Sequence, residues 1–237
     1  MSVDDATTQT RHRIWEEAVW LKQMGLVAGS SGNISARVAG TDLVAITPTD
    51  VRYSDITPDD IVVVKRSGET VVGRHRPTSE LSMHLAVYDA RADMSAIAHT
   101  HSPYATAFAV IREPIPLISN EGLGVRGLEV EVARFAIPGS QELADAVVEV
   151  LMRTPQTRAV LLANHGLLTM GADLEAACRL ARGVELEARI CQLARTMGDV
   201  HRFTQEQLDA TVGDYIHPKK RTDPTTPSVS TEPRVDE

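Results

Sequence analysis

Short, almost wholly apolar runs alternate with longer stretches of helical periodicity along this chain, and that alternation constrains its fold most. LVAIT, DIVVVK, AIAHTH and AVLLA read as strands, the first two separated by the proline-bearing turns TPTD and ITPDD. ETVVG adds a hairpin-like segment, and IPLIS a short strand end. Between them, Arg11 to Met24 predicts a helix closed by Gly25. SELSMHLAVYDAR predicts a second helix with Thr78 or Ser79 as its N-cap, and Ser102 and Pro103 open a third, PYATAFAVI. SQELADAVVEVLMR carries Leu143, Val147, Val150 and Leu151 at helical spacing, and DLEAACRLARGVELEARICQLARTMG predicts one long helix. Strands and helices mix in one continuous pattern without a visible repeat, so residues 1–217 are expected to form a single α/β domain. Residues 218–237, rich in Pro, Ser and Thr, are expected to form a polar, mobile tail.

Only 4% of the residues are aromatic, so the core must be built from Val, Ile, Leu and Ala. A formal net charge of −8 argues against a nucleic-acid or membrane-surface partner. No stretch approaches the roughly 18 apolar residues of a membrane span. The polar start MSVDDATTQTRHR lacks the apolar run of a secretory signal, so a cytoplasmic location is expected. Cys178 and Cys191 share one helical stretch at no metal or redox spacing, which predicts buried or half-buried thiols in a reducing cytoplasm.

Chemistry concentrates at strand ends. His99 and His101 lie two apart on AIAHTH, so both imidazoles project from the same face and can reach one cation. His165 follows the apolar run AVLLA, and Gly166 would let the chain turn away tightly. Taken alone, a His-x-His pair or an Asn-His-Gly turn is a common accident. At the ends of two buried strands, the three nitrogens fit the three-ligand set of an open catalytic metal site. Glu80 sits in the first turn of a helix, where the dipole favours its charge. Near a metal, it could ligate the empty site and then move a proton. GSSGN (residues 29 to 33), Thr47 to Thr49 and Thr78-Ser79 are hydroxyl-rich loops able to cradle a phosphate, or simply to turn the chain. Arg74 and Arg76 could add charge, though solvated arginines are the ordinary case. His12, His201 and His217 lie in polar terminal segments, and His75 sits between two arginines. His84, one helical turn after Glu80, is expected to pack or bond locally.

Taken in order, SSGNISAR, ITPTD, RPTSELSMHLAVYDARADMSAIAHTHSPYATA and LLANHGLL resemble the class II aldolase/adducin family over about residues 11 to 197. Within it, the chain is most similar to L-fuculose-phosphate and deoxypentulose-phosphate aldolases. The resemblance implies an α/β/α three-layer sandwich around a largely antiparallel sheet. It implies a homotetramer with active sites between subunits, acting on a small phosphorylated sugar. It also implies Zn²⁺, or another divalent ion such as Mn²⁺ or Co²⁺, on His99, His101 and His165. Glu80 would be the fourth ligand without substrate and the acid/base with it. Phosphate binding would fall to Asn33, Thr49, Thr78 and Ser79, with Gly32 permitting close approach. The implied reaction is retro-aldol cleavage of a ketose 1-phosphate to dihydroxyacetone phosphate and an aldehyde. Two positions depart from the aldolase pattern. Asp50 stands where the aldolases have a glycine whose amide serves the phosphate, and Asn120, beside Glu121, stands near the position of their catalytic tyrosine, whose proton transfer an amide cannot perform. Tyr215 is an accessory candidate near a neighbouring site.

Other enzymes of that family share the metal-centred chemistry: pentulose-phosphate 4-epimerases, methylthioribulose-phosphate dehydratases and sugar-acid-phosphate decarboxylases. A non-catalytic adducin-like binding module is the reading from another class, and the retained histidines and Glu80 count against it. A dinucleotide oxidoreductase is set aside, because no G-x-G-x-x-G follows a first strand and opens a helix.

Overall fold

The computed structural model describes residues 2–216, with side chains described as far as residue 212. The expected tail, 218–237, therefore lies outside the described residues. Two units follow one another along the chain, Met1–Phe203 and the segment from Thr204 onward. In the second, helix α6 (Gln205–Ile216), not expected from the sequence, opens where Thr204 Oγ1 accepts from Gln207 N at 3.2 Å.

The first unit holds β1 (Asn33–Arg37), β2 (Leu43–Ile46), β3 (Val62–Lys65), β4 (Thr70–Val72), β5 (Ala96–Thr100), β6 (Ile115–Pro116), β7 (Glu129–Val130), β8 (Val132–Ala133), β9 (Ala159–Leu162) and β10 (Gly166–Gly171). Its helices are α1 (Val3–Gln23), α2 (Leu81–Ala90), α3 (Pro103–Ile111), α4 (Gln141–Arg153) and α5 (Leu174–Met197). Eight strands form one sheet in the order β4-β3-β2-β1-β5-β10-β9-β8, while β6 and β7 pair separately. Every pairing in the large sheet is antiparallel except β8 with β9.

Side chains alternate across the strands, so each face of the sheet carries its own core. On one face Val44, Ile46, Val62, Val64, Ile97, Leu168 and Met170 pack with Met83 and Val87 of α2 and Leu143 and Val147 of α4. On the other, Ile34, Ala36, Ala45, Val63, Ala96 and Ala98 pack with Ile14, Ala18 and Leu21 of α1 and Ala177 and Cys178 of α5. Each fully buried Val, Leu, Ile or Met side chain among them contributes about 1.5–3 kcal/mol, and each alanine less. The result is the expected α/β/α sandwich around a largely antiparallel sheet. Both cysteines are buried and free, as their lone placement within α5 suggested.

Several boundaries differ from expectation. α1 starts at Val3 rather than near Arg11, because Ser2 and Asp5 form a reciprocal capping box that closes the first turn. α2 is not capped by Thr78 or Ser79: its N-cap is Glu80, and no side chain caps it. Thr78 is still tied to the sheet through its N–H to Thr47 O, and its hydroxyl accepts from Glu80 N. The helix can begin only once the chain leaves that strap.

The strap itself is anchored by Asp60, which is almost fully buried. Its carboxylate accepts from Thr57 N and Oγ1, Arg74 Nε and Nη2, and His75 Nε2, at 2.6–3.0 Å. Arg74 is thereby committed to structure rather than left free for a ligand. Burial alone would raise the Asp60 carboxyl, but the Thr57 hydroxyl and Arg74 outweigh it and hold the group well below the ordinary range. A depressed folded-state value means this stability is present above about pH 4 and is lost as pH falls towards the folded value. Asp60→Ala should cost about 1–3 kcal/mol, read as a lower midpoint in urea, since the buried acceptor that gathers Thr57, Arg74 and His75 is lost while those donors can turn to water. It should also flatten the acid limb of stability against pH. An unchanged limb would remove Asp60 as the anchor.

Candidate active site and metal centre

β5 delivers His99 to the sheet face that α2 covers, and His101 follows just beyond the strand end. The register sets Asn33 of β1 opposite His99 on one side and Leu168 of β10 on the other. His165 ends the three-residue turn between β9 and β10, whose Asn164 adopts φ 58°. Glu80, at the head of α2, points its carboxylate into the same space. His99 Nε2 lies 3.1 Å from Glu80 Oε2, and His165 Nε2 lies 3.5 Å from Glu80 Oε1. The three imidazoles stand edge to face, with ring centroids 4.7–5.0 Å apart, and their candidate ligand atoms all fall within 4.8 Å of one another.

The protonation pattern suits a cation. His99 Nδ1 is 3.0 Å from Leu167 O, which can only accept, so Nδ1 carries the hydrogen and Nε2 offers a lone pair. That lone pair faces His101 Nε2 at 3.2 Å and the Glu80 carboxylate. Burial, then the neighbouring His99, push both His101 and His165 down to about 4, so both are neutral at pH 7. Burial resists ionisation of Glu80, but positive charge at His99 and then His165, which protons or a bound cation would supply, prevails with the Asn33 amide and holds its carboxyl well below the ordinary range. Glu80 Oε1 and His165 Nδ1 are buried without a hydrogen-bond partner. A negative carboxylate beside nitrogen lone pairs, with orphaned polar atoms, is the donor set a divalent ion satisfies.

Gly166 has a different function from the turn expected of it. The positive φ belongs to Asn164, and Gly166 is already the first residue of β10. A Cβ there would strike the Thr100 carbonyl and stand 3.2 Å from both the His99 and His101 rings. Gly166→Ala should therefore displace the histidines, costing about 1–3 kcal/mol of stability and most of the bound metal. Metal analysis beside a thermal melt checks this, and full metal content would show that β10 can shift to make room. Gly32 (φ 86°) likewise brings its backbone close to β5, where a Cβ would sit 2.7 Å from His99 O.

The remaining candidates divide. Asn33 and Thr78 are buried within the site, with Asn33 Nδ2 donating to Glu80 Oε2 at 2.8 Å. Thr49 is half-buried and Ser79 exposed on the loops beside it. Asp50 takes φ 60°, which suits the glycine of the aldolase pattern, and its side chain is 83% exposed, 3.9 Å from Arg76. Asn120 is exposed at the start of the 3-10 helix Asn120–Val125, and among the described residues no hydrogen bond ties it to the histidines. Tyr215 falls in α6 at a position whose side chain lies outside the described residues.

His84 is the participant that sequence reasoning undervalued. It is fully buried and bonds both Asn33 and Ser35. The available signal was the spacing Glu80, His84, Tyr88, which sets three polar groups four residues apart on one face of α2.

An α/β sandwich bearing three histidines at its strand ends and a glutamate at a helix head is the framework of a metal-centred lyase. Residues 13–192 match the Class II Aldolase and Adducin N-terminal domain. The chain is 35% identical over 185 residues to 5-deoxy-D-ribulose 1-phosphate aldolase of Bacillus thuringiensis serovar kurstaki, covering 78% of this chain and 85% of that one. It is 33% identical over 178 residues to L-fuculose phosphate aldolase of Escherichia coli O6:H1, covering 75% and 80%. A solved L-fuculose 1-phosphate aldolase superposes with TM-score 0.82 at 34% identity, over 88% of this chain and 96% of that one. The chain belongs to the class II aldolase/adducin family and is a class II aldolase, a metal-dependent carbon–carbon lyase. Among the described residues no helix is long and apolar enough to cross a membrane.

Proposed function

We propose that this enzyme cleaves a ketose 1-phosphate to dihydroxyacetone phosphate and an aldehyde, with L-fuculose 1-phosphate or a 5-deoxypentulose 1-phosphate as substrate. The observation that carries the reading is the convergence of Glu80 with His99, His101 and His165 beside the hydroxyl loops. The names of the two relatives support the substrate class. Zn²⁺ is the proposed ion, held by the three histidines with Glu80 as fourth ligand when substrate is absent, and Mn²⁺ or Co²⁺ would suit the same donors. When bound, the ion supplies Lewis-acid stabilisation of the negative charge that grows on substrate oxygens as the C3–C4 bond breaks.

The protein's own groups do the rest. Asn33, Thr49, Thr78 and Ser79 donate to the phosphate, and Gly32 lets it approach the backbone. A base takes the C4 hydroxyl proton as the bond breaks and passes it to the ionised Glu80 carboxylate, and the aldehyde leaves. Glu80 then delivers a proton to C3, which completes dihydroxyacetone phosphate. The near-total burial of Glu80 supports this role, since a dry carboxylate keeps its proton exchange local. The exposed Asp50 side chain leaves room for the phosphate. Residues 1–217 would act as one catalytic domain with a polar tail, 218–237. The working form would be a cytoplasmic homotetramer in which a neighbouring subunit completes each site, with Asn120 and Tyr215 as accessory groups.

The direct experiment measures dihydroxyacetone phosphate release from a panel of ketose 1-phosphates, with and without a chelator. Chelator-sensitive release supports the aldolase reading, and the preferred substrate names the aldehyde. No release from the metal-loaded protein would defeat it and direct assays to epimerisation, dehydration or decarboxylation.

A further inference from the structure

A buried chain of polar groups runs from α2 into the site. Tyr88 Oη lies 2.8 Å from Ser35 Oγ, and Ser35 Oγ lies 2.7 Å from His84 Nδ1. His84 Nε2 is 2.5 Å from Asn33 Oδ1, and Asn33 Nδ2 is 2.8 Å from Glu80 Oε2. His84 and Ser35 are fully buried, with Tyr88, Asn33 and Glu80 nearly so.

The direction of the chain is set at its end. An ionised carboxylate only accepts, so Asn33 must turn Nδ2 towards Glu80 and Oδ1 towards His84. Oδ1 also only accepts, so Nε2 of His84 carries a hydrogen. We propose that His84 is a positioning residue: its Nε2–H locks the Asn33 amide, and that amide holds the Glu80 carboxylate against His99. The inference rests on the reading of Glu80 as the proton carrier.

An apolar side chain would fill the same volume but leave Asn33 Oδ1 buried and unpaired. The carboxylate would still favour Nδ2, but the amide, with Oδ1 unpaired, would no longer be held in place against it. A carboxylate whose support can swing away does not keep its place beside His99, although His84 itself never reaches the open site. Ser35, itself hydrogen-bonded to Tyr88, completes the device by donating to Nδ1, so the ring cannot turn without breaking two bonds at once.

Isotope-labelled NMR on the metal-loaded enzyme, wild type beside Asn33→Ala, reads the lock directly. A hydrogen on His84 Nε2, shifted in Asn33→Ala, is the expected result, and an Nε2 without hydrogen overturns the proposal. In kinetics, His84→Leu should keep its metal while kcat falls about 10–100-fold. His84→Gln restores an N–H donor and should recover most of the loss. The double variant His84→Leu/Asn33→Ala should be no slower than Asn33→Ala alone, because the two residues act in series. Equal losses in the Leu and Gln variants would mean that the ring only fills space, and would sink the lock. Glu80→Gln, assayed alongside, separates the two layers. If it stays fast, the proton-carrier reading falls and the inference with it. If it is slow while His84→Leu runs at the wild-type rate, the inference alone falls.

Discussion

Glu80→Gln should retain the metal and lose about 10²–10⁴-fold in kcat, the range of general acid–base catalysis. The amide matches the carboxylate in shape, and its oxygen can still accept from Asn33 Nδ2. It cannot take up and return a proton. Three imidazoles remain to hold the ion, so metal analysis should find the variant loaded. Steady-state kinetics on the best ketose 1-phosphate provides the comparison. Near-normal turnover would transfer the proton role to another group. Loss of metal together with turnover would instead make Glu80 chiefly a ligand.

His165→Ala should have the opposite signature, with metal and activity lost together. His165 faces Glu80 Oε1 from the turn between β9 and β10, and its ring closes the third side of the cluster. Two histidines and a carboxylate remain, one nitrogen short of the three-histidine set. Removing a mere outer-shell partner of a metal ligand typically weakens affinity about 10–100-fold, and loss of a ligand should exceed that. The wild-type protein should melt higher when loaded than when chelated, because an ion bound only to the folded state stabilises it. In His165→Ala that difference should disappear at equal ion concentration. A variant that keeps both the ion and the melting difference would remove His165 from the ligand set.

The histidines were legible because strand geometry is local. Residues two apart share a face whatever the rest of the chain does, which joins His99 to His101 without knowledge of the fold. Most helices were legible for the same reason, as the stripe Leu143, Val147, Val150 and Leu151 shows on α4. Missed elements were short or had weak periodicity. β7 and β8 are two residues each, and LLTMG in β10 is buried on both faces, which removes the alternation that marks a strand. Helix starts shifted for tertiary reasons, as where the strap from Thr47 to Thr78 delays α2 until Glu80.

The site shows the same division. The sequence by itself determined the chemical inventory: which residues can bind a cation, which can carry a proton, and which strand ends present them. Only the tertiary structure decided that Gly166 makes space for two imidazoles rather than a turn, and that Arg74 belongs to Asp60. It also decided that His84 reaches Asn33 across 51 residues of chain. Those facts depend on which strands lie side by side and how closely their backbones approach. Such contacts are set by the packing of both sheet faces together, a property that no window of sequence contains.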